Sequence, residues 1–158
     1  MAQVKTNAMR ILDSKKIDYK VNTYNIKDGK IDGVSVAEKI GKDVSEVYKT
    51  LVTQGTSKAL YVFVIPVAEE LDMKKAAKAT GEKSIEMINV KDITKYTGYI
   101  KGGCSPVGMK KLYKTFINNT AETLEAIIVS GGKVGVQIEL KPKDLINAVE
   151  GKFESIIK

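Results

Sequence analysis

Near the C-terminal end, two apolar runs, Ala126 to Ser130 and Val134 to Leu140, meet at Gly131-Gly132. That arrangement reads as a β-hairpin, and the second run alternates through Val134, Val136, Ile138 and Leu140. A hairpin makes neighbouring strands antiparallel, so a purely parallel sheet is excluded and the sheet must be mixed.

The remaining elements fall around that hairpin as an α/β alternation. Val4, Ala8, Ile11 and Leu12 recur at helical spacing, which predicts an amphipathic helix ending near Lys16. Tyr19 to Tyr24 alternates as a strand. Ser35 and Glu38 have capping-box spacing with Gly41 as the stop, and Asp43 and Glu46 repeat it before the apolar-rich Val47 to Val52. Leu60 to Ile65, continuous and β-branched, predicts a buried central strand. Asp72 caps a helix to about Thr80, stopped by Gly81, and Asn89 caps another to about Tyr96. Pro142 opens a last helix through Val149, and Phe153 to Ile157 adds an edge strand. There is no internal repeat, low-complexity tract or linker. One compact α/β domain is expected over residues 1–158, with a mixed, mostly antiparallel sheet surrounded by helices.

Two absences restrict the chemistry. With no histidine, Ser-His-Asp and Cys-His machinery and His-based metal sites are excluded. With one cysteine, Cys104, neither an internal disulfide nor a thiolate cluster for zinc can form. No metal or other cofactor is expected. Catalysis has to draw on Lys, Tyr, Asp, Glu, Ser, Thr, backbone amides or the substrate. The longest apolar run, Ala59 to Ala68, is interrupted by Pro66 and is too short for a membrane span. The opening Met-Ala-Gln-Val-Lys-Thr lacks the apolar core of a secretory signal, so a soluble cytoplasmic protein is expected. Lys and Arg outnumber Asp and Glu by 26 to 19, and all but Arg10 of the basic residues are lysine. That excess suits an anionic partner such as nucleic acid, although lysine-rich surfaces also serve solubility alone. Lys74, Lys75 and Lys78 share one helical stretch, and Lys110, Lys111 and Lys114 follow a glycine-rich loop.

Two local patterns carry potential chemistry. Gly98 to Gly108 contains four glycines and one proline. Closely spaced glycines let backbone amides approach a ligand, as in an oxyanion or phosphate pocket, but the same composition also serves a tight structural loop. Lys49, within Val47-Tyr48-Lys49-Thr50-Leu51-Val52, either points into a cleft or occupies the wet face of a strand.

Taken in order, Tyr48-Lys49-Thr50-Leu51-Val52, Leu71 to Gly81, Thr97-Gly98-Tyr99, Gly102 to Gly108 and Val129-Ser130-Gly131-Gly132 resemble the YbaK/EbsC family. That family is related to the editing domain of bacterial prolyl-tRNA synthetases, and the resemblance covers nearly the whole chain. Within the family the chain looks most like the Cys-tRNA(Pro) deacylases, free-standing editing enzymes. The resemblance implies the family's barrel-like fold and places its essential lysine at Lys49. It places the glycine amide facing the substrate carbonyl at Gly103. The substrate pocket would take Tyr24, Gly102, Ser105, Ser130, Gly131 and Asp144. Lys74, Lys75, Lys78, Lys110 and Lys111 would meet the acceptor stem of tRNA, with prolyl-tRNA synthetase as a candidate partner.

The mechanism implied by the resemblance suits a chain without histidine. The cysteine thiol on the tRNA attacks its own ester carbonyl and leaves as a thiolactone. The protein then supplies geometry and an oxyanion site. Cys104 reads as a small buried apolar residue, because the reacting sulfur belongs to the substrate. Two other readings stand beside this one: hydrolysis of Ala- or Ser-charged tRNA on the same fold, and a non-catalytic module that binds tRNA or a synthetase.

Overall fold

The structure, a computed structural model, describes residues 5–158, so the expected helical contribution of Val4 lies outside the described residues. The order is α1 (Asn7–Ser14), β1 (Lys20–Thr23), α2 (Gly33–Lys39), β2 (Tyr48–Gly55), β3 (Leu60–Pro66), α3 (Met73–Thr80), β4 (Ile85–Met87), α4 (Ile93–Thr97), β5 (Lys114–Asn118), β6 (Ile127–Lys133), β7 (Val136–Leu140), α5 (Pro142–Val149) and β8 (Lys152–Glu154). Local chemistry sets most of these boundaries. The Asp72 carboxylate accepts from the amides of Lys74 and Lys75, and Gly81 closes α3 at φ 75°. Pro142 supplies the pre-set φ of a first helical position. α2 begins earlier than the capping-box spacing predicts, because Asp32 rather than Ser35 is its cap.

The strands form two sheets. One runs β1-β7-β6 and is antiparallel throughout. The other runs β4-β2-β3-β5-β8, antiparallel at β4/β2/β3 and parallel at β3/β5/β8. They meet at a bridge between Val47 and Ile128. The barrel-like closure expected from the resemblance is absent among the described residues. Two sheets joined at one seam keep separate edges, where a barrel would have none.

The long apolar strand is central, as its composition requires. Val62 and Val64 of β3 face the larger core with α1, α5 and the three-stranded sheet, whereas Phe63 and Ile65 face a second core under α3. All four are fully buried, and Phe63 stacks on Phe116 with centroids 5.5 Å apart. Burial of each such side chain contributes about 1.5–3 kcal/mol.

The hairpin itself differs from expectation. β6 continues past Gly131-Gly132 to Lys133, which pairs with Val136, so Val134-Gly135 makes the turn. Gly132, at φ 98°, lies instead where the register of β6 shifts. A β-bulge there re-aims the strand end without reversing the chain. β4 and β5 carry too little alternation to be legible in the sequence. No helix among the described residues is long and apolar enough to cross a membrane.

Candidate active site

Beside the seam between the sheets lies a cavity of about 290 Å³. Its walls come from distant parts of the chain: Tyr24 and Ile31 before α2, Tyr48, Lys49 and Thr50 at the start of β2, Lys101, Gly102 and Cys104 in the glycine loop, Ser130 on β6 and Gln137 on β7. Two lysines line it, and no carboxylate does. The cavity is therefore biased toward anionic or carbonyl-bearing ligands and holds no carboxylate base.

Strand pairing separates the roles of Lys49 and Thr50. Lys49 pairs with Ile65 and shares the face that carries the second core, and it reaches the cavity from the strand's end. Its charge also helps hold the Glu70 carboxyl below the usual range, after the larger effect of the hydrogen bond from Lys158. Thr50 pairs with Val64 and points to the opposite face. Its hydroxyl is the one buried side-chain polar atom among the described residues without a hydrogen-bond partner. A hydroxyl buried without a partner is costly to the folded chain.

Ser130 and Gln137 are cross-strand partners and both line the cavity. The Ser130 hydroxyl accepts from the Gly132 amide at 3.2 Å, while Gln137 is only 7% exposed. Tyr24 is set by its own amide, which donates to the Gly135 carbonyl at 3.0 Å. The Tyr48 phenol meets the Thr120 hydroxyl at 2.6 Å, and burial raises its pKa.

The glycine loop corrects one expectation. Gly103 does not present its amide to the cavity, because that N–H donates to the Ile100 carbonyl at 3.0 Å. The glycine is needed for close packing instead: a Cβ there would lie 2.8 Å from the Val134 nitrogen and 3.0 Å from the Lys133 carbonyl carbon. Gly102, at φ 85°, and Cys104 flank it and do line the cavity. Burial pushes the Cys104 thiol up to about 11, leaving it protonated and unreactive at neutral pH.

Comparison with known proteins shows where this architecture belongs. The aminoacyl-tRNA editing domain matches residues 32–148, which include β2, the glycine loop and the β6–β7 hairpin. The chain belongs to the aminoacyl-tRNA editing family. Within that family it is similar to the EbsC protein of Enterococcus faecalis, a candidate Cys-tRNA(Pro)/Cys-tRNA(Cys) deacylase. The two are 46% identical over 154 residues, covering 98% of this chain and 94% of the relative. An uncharacterised Bacillus subtilis protein, YwhH, is 26% identical over 109 residues, 69% of each chain. Among solved structures, a candidate trans-editing enzyme for prolyl-tRNA synthetase shares the fold at a TM-score of 0.86. It is 19% identical, and the match covers 99% of each chain.

In this member of the editing family, the expected residues only partly converge. Lys49, Tyr24, Gly102 and Ser130 share the cavity. Ser105 is buried beneath it and accepts from the Val107 amide at 3.2 Å. Gly131 does not line it; its carbonyl accepts from the Thr6 hydroxyl at 2.5 Å. Asp144 is not brought there at all, since the first turn of α5 carries it into a separate cavity with Lys15, Lys16, Asp18 and Asn147. Gln137 supplies a polar group where Asp144 was expected to. Nor does the cavity collect the expected acceptor-stem lysines. Lys74, Lys75 and Lys78 are on α3, with Lys75 donating to the Ile157 carbonyl at 2.9 Å. Lys110 donates to the Lys95 carbonyl at 3.2 Å, and Lys111 lines a different cavity beside Leu112. Lys101 was missed, although it directly precedes Gly102-Gly103. Gln137 was legible in principle, because pairing across the hairpin sets it opposite Ser130.

Proposed function

We propose that this chain is a trans-editing deacylase of the cytoplasm that removes cysteine from mischarged tRNA(Pro), and from Cys-tRNA(Cys), the substrates named for the Enterococcus relative. The observation that carries the proposal is the composition of the cavity: two lysines, an orphaned hydroxyl and a thiol held protonated, with no carboxylate or histidine. A volume of about 290 Å³ suits an aminoacyl group on its ribose rather than a duplex, being just under the roughly 300–1,000 Å³ of small-molecule sites.

The chemistry then comes from the substrate. The cysteine sulfur attacks the ester carbonyl carbon, and the C–O bond to the terminal ribose breaks. The thiol proton ends on the departing ribose oxygen, giving a thiolactone and free tRNA. Thiol and carbonyl already sit on one aminoacyl group, so the pocket contributes by holding that group in the ring-closing geometry rather than by joining two reactants. Neither the Gly102 nor the Cys104 amide donates to a protein group among the described residues. In this mechanism they receive the developing oxyanion, at about 2.7–4 kcal/mol per donor. Lys49 and Lys101 hold the 3′-terminal phosphate or the aminoacyl end. Lys74, Lys75, Lys78, Lys110 and Lys111 contribute to the sequence-independent attraction of tRNA. Prolyl-tRNA synthetase is the partner that would supply selectivity for tRNA(Pro).

A panel of mischarged tRNAs tests the proposal. Cys-tRNA(Pro) should be deacylated well above the spontaneous rate, with Ala- and Ser-charged tRNA spared. Cleavage of Ala-tRNA at the same rate would replace this reading with a hydrolytic one, and no cleavage of any would leave a binding module.

A further inference from the structure

Before α2 begins, the chain supplies Tyr24 and Ile31 to the cavity wall from a segment that belongs to no strand. From Asn25 to Asp32 every residue is exposed, so no apolar core fixes the path of this loop. A single side chain occupies its concave side instead. Lys39, in the last turn of α2, donates to the Asn25 carbonyl at 2.7 Å, the Asp28 carboxylate at 2.7 Å and the Lys30 carbonyl at 2.8 Å. These three bonds use every proton an ammonium has.

The ammonium also stands 5.9 Å from the centre of the Tyr24 ring, within cation–π range, and only 19% of its side chain is exposed. Asp28 in turn accepts from the Lys30 amide at 3.0 Å, and the bond from Lys39 is the main cause holding its carboxyl below the usual range. Within the loop, the Gly29 amide donates to Ile26 and the Ile31 amide to Gly29. An exposed ion pair alone would contribute little. Here two of the three acceptors are backbone carbonyls on either side of the turn, so the ammonium constrains the path of the chain itself.

We propose that Lys39 is a positioning residue: it winds Asn25–Lys30 around its ammonium and thereby sets Tyr24 and Ile31 against the cavity. The effect on catalysis rests on the deacylase reading above; the effect on the loop does not. Lys39→Met keeps the methylene stem and removes the donors, and Asp28→Ala removes one acceptor.

Hydrogen exchange on the full chain reads the loop directly. Exchange of the Gly29 and Ile31 amides should accelerate about tenfold or more in Lys39→Met, the loss of roughly one net hydrogen bond. It should accelerate less in Asp28→Ala, with amides of β3 unchanged in both variants. Deacylation of Cys-tRNA(Pro) should show a raised KM or lowered kcat in Lys39→Met with the melting temperature nearly preserved. Lys39→Arg should retain part of the activity that Lys39→Met loses. Unchanged loop exchange in Lys39→Met would overturn the proposal. So would faster loop exchange with normal deacylation, since the loop would then be held without positioning the site. A wild-type protein inactive on every aminoacyl-tRNA would instead remove the deacylase reading, while the exchange result still decided the role of Lys39 in the loop.

Discussion

Replacing Thr50 by Val removes the orphaned hydroxyl while keeping the branched shape of the side chain. In the free protein that hydroxyl is buried without a partner, a condition that costs about 1–3 kcal/mol. Val should therefore stabilise the unliganded protein by about 1 kcal/mol. For a chain of 158 residues, that corresponds to a rise in melting temperature of about 2–4 °C. Thr50 lines the cavity, and where a bound substrate draws its hydroxyl out to bond, the same change removes a hydrogen bond worth about 0.5–1.5 kcal/mol, so kcat/KM should fall about two- to tenfold. Differential scanning fluorimetry without ligand and deacylation of Cys-tRNA(Pro) measure the two arms on one preparation. A variant that melts lower and retains full activity would show that the hydroxyl serves the fold and not the site.

Lys49→Ala should reduce deacylation to background with only a small change in melting temperature, since the side chain reaches the cavity from the strand's end; a large drop in melting temperature would assign it to packing. Gly103→Ala should destabilise by about 1–3 kcal/mol and also lower activity, because the new Cβ meets backbone rather than a flexible side chain. Native Cys104 should alkylate slowly with iodoacetamide at pH 8, where about one thiol in a thousand is ionised if its pKa is about 11, and faster as pH approaches that value. Because the unfolded thiol ionises near 8.5, the contribution of Cys104 to stability is intact below that pH and is lost as pH rises toward 11.

The elements whose identity depends on local chemistry were legible in the sequence. Asp72 and Gly81 bound α3, Pro142 opens α5, and the unbroken apolar run of β3 could only be central. β5 was not legible, because Thr115, Phe116, Ile117 and Asn118 are all buried between parallel neighbours and show no alternation. The turn was misplaced because Gly131-Gly132 has the composition of a hairpin loop, whereas register puts a bulge there. Lys49, Tyr24, Gly102 and Ser130, singled out by motif order, line one cavity. Motif order could not show that the Gly103 amide is spent on Ile100, or that α5 turns Asp144 away. Those facts depend on hydrogen-bond partners and helix phase, which only the folded chain supplies.

In the proposed reaction the nucleophile belongs to the substrate. This is tested most directly by comparing kcat/KM for Cys-tRNA(Pro) and Ser-tRNA(Pro), whose side chains differ by one atom. Binding differences of that size give at most roughly 10–200-fold. A thiol is far more acidic than an alcohol and so far more nucleophilic at pH 7. Attack by the substrate thiol predicts a preference for cysteine beyond that range, with thiolactone recovered as the product and activity retained in Cys104→Ala. Comparable rates on the two substrates, with free serine and free cysteine as products, would contradict it and indicate attack by water.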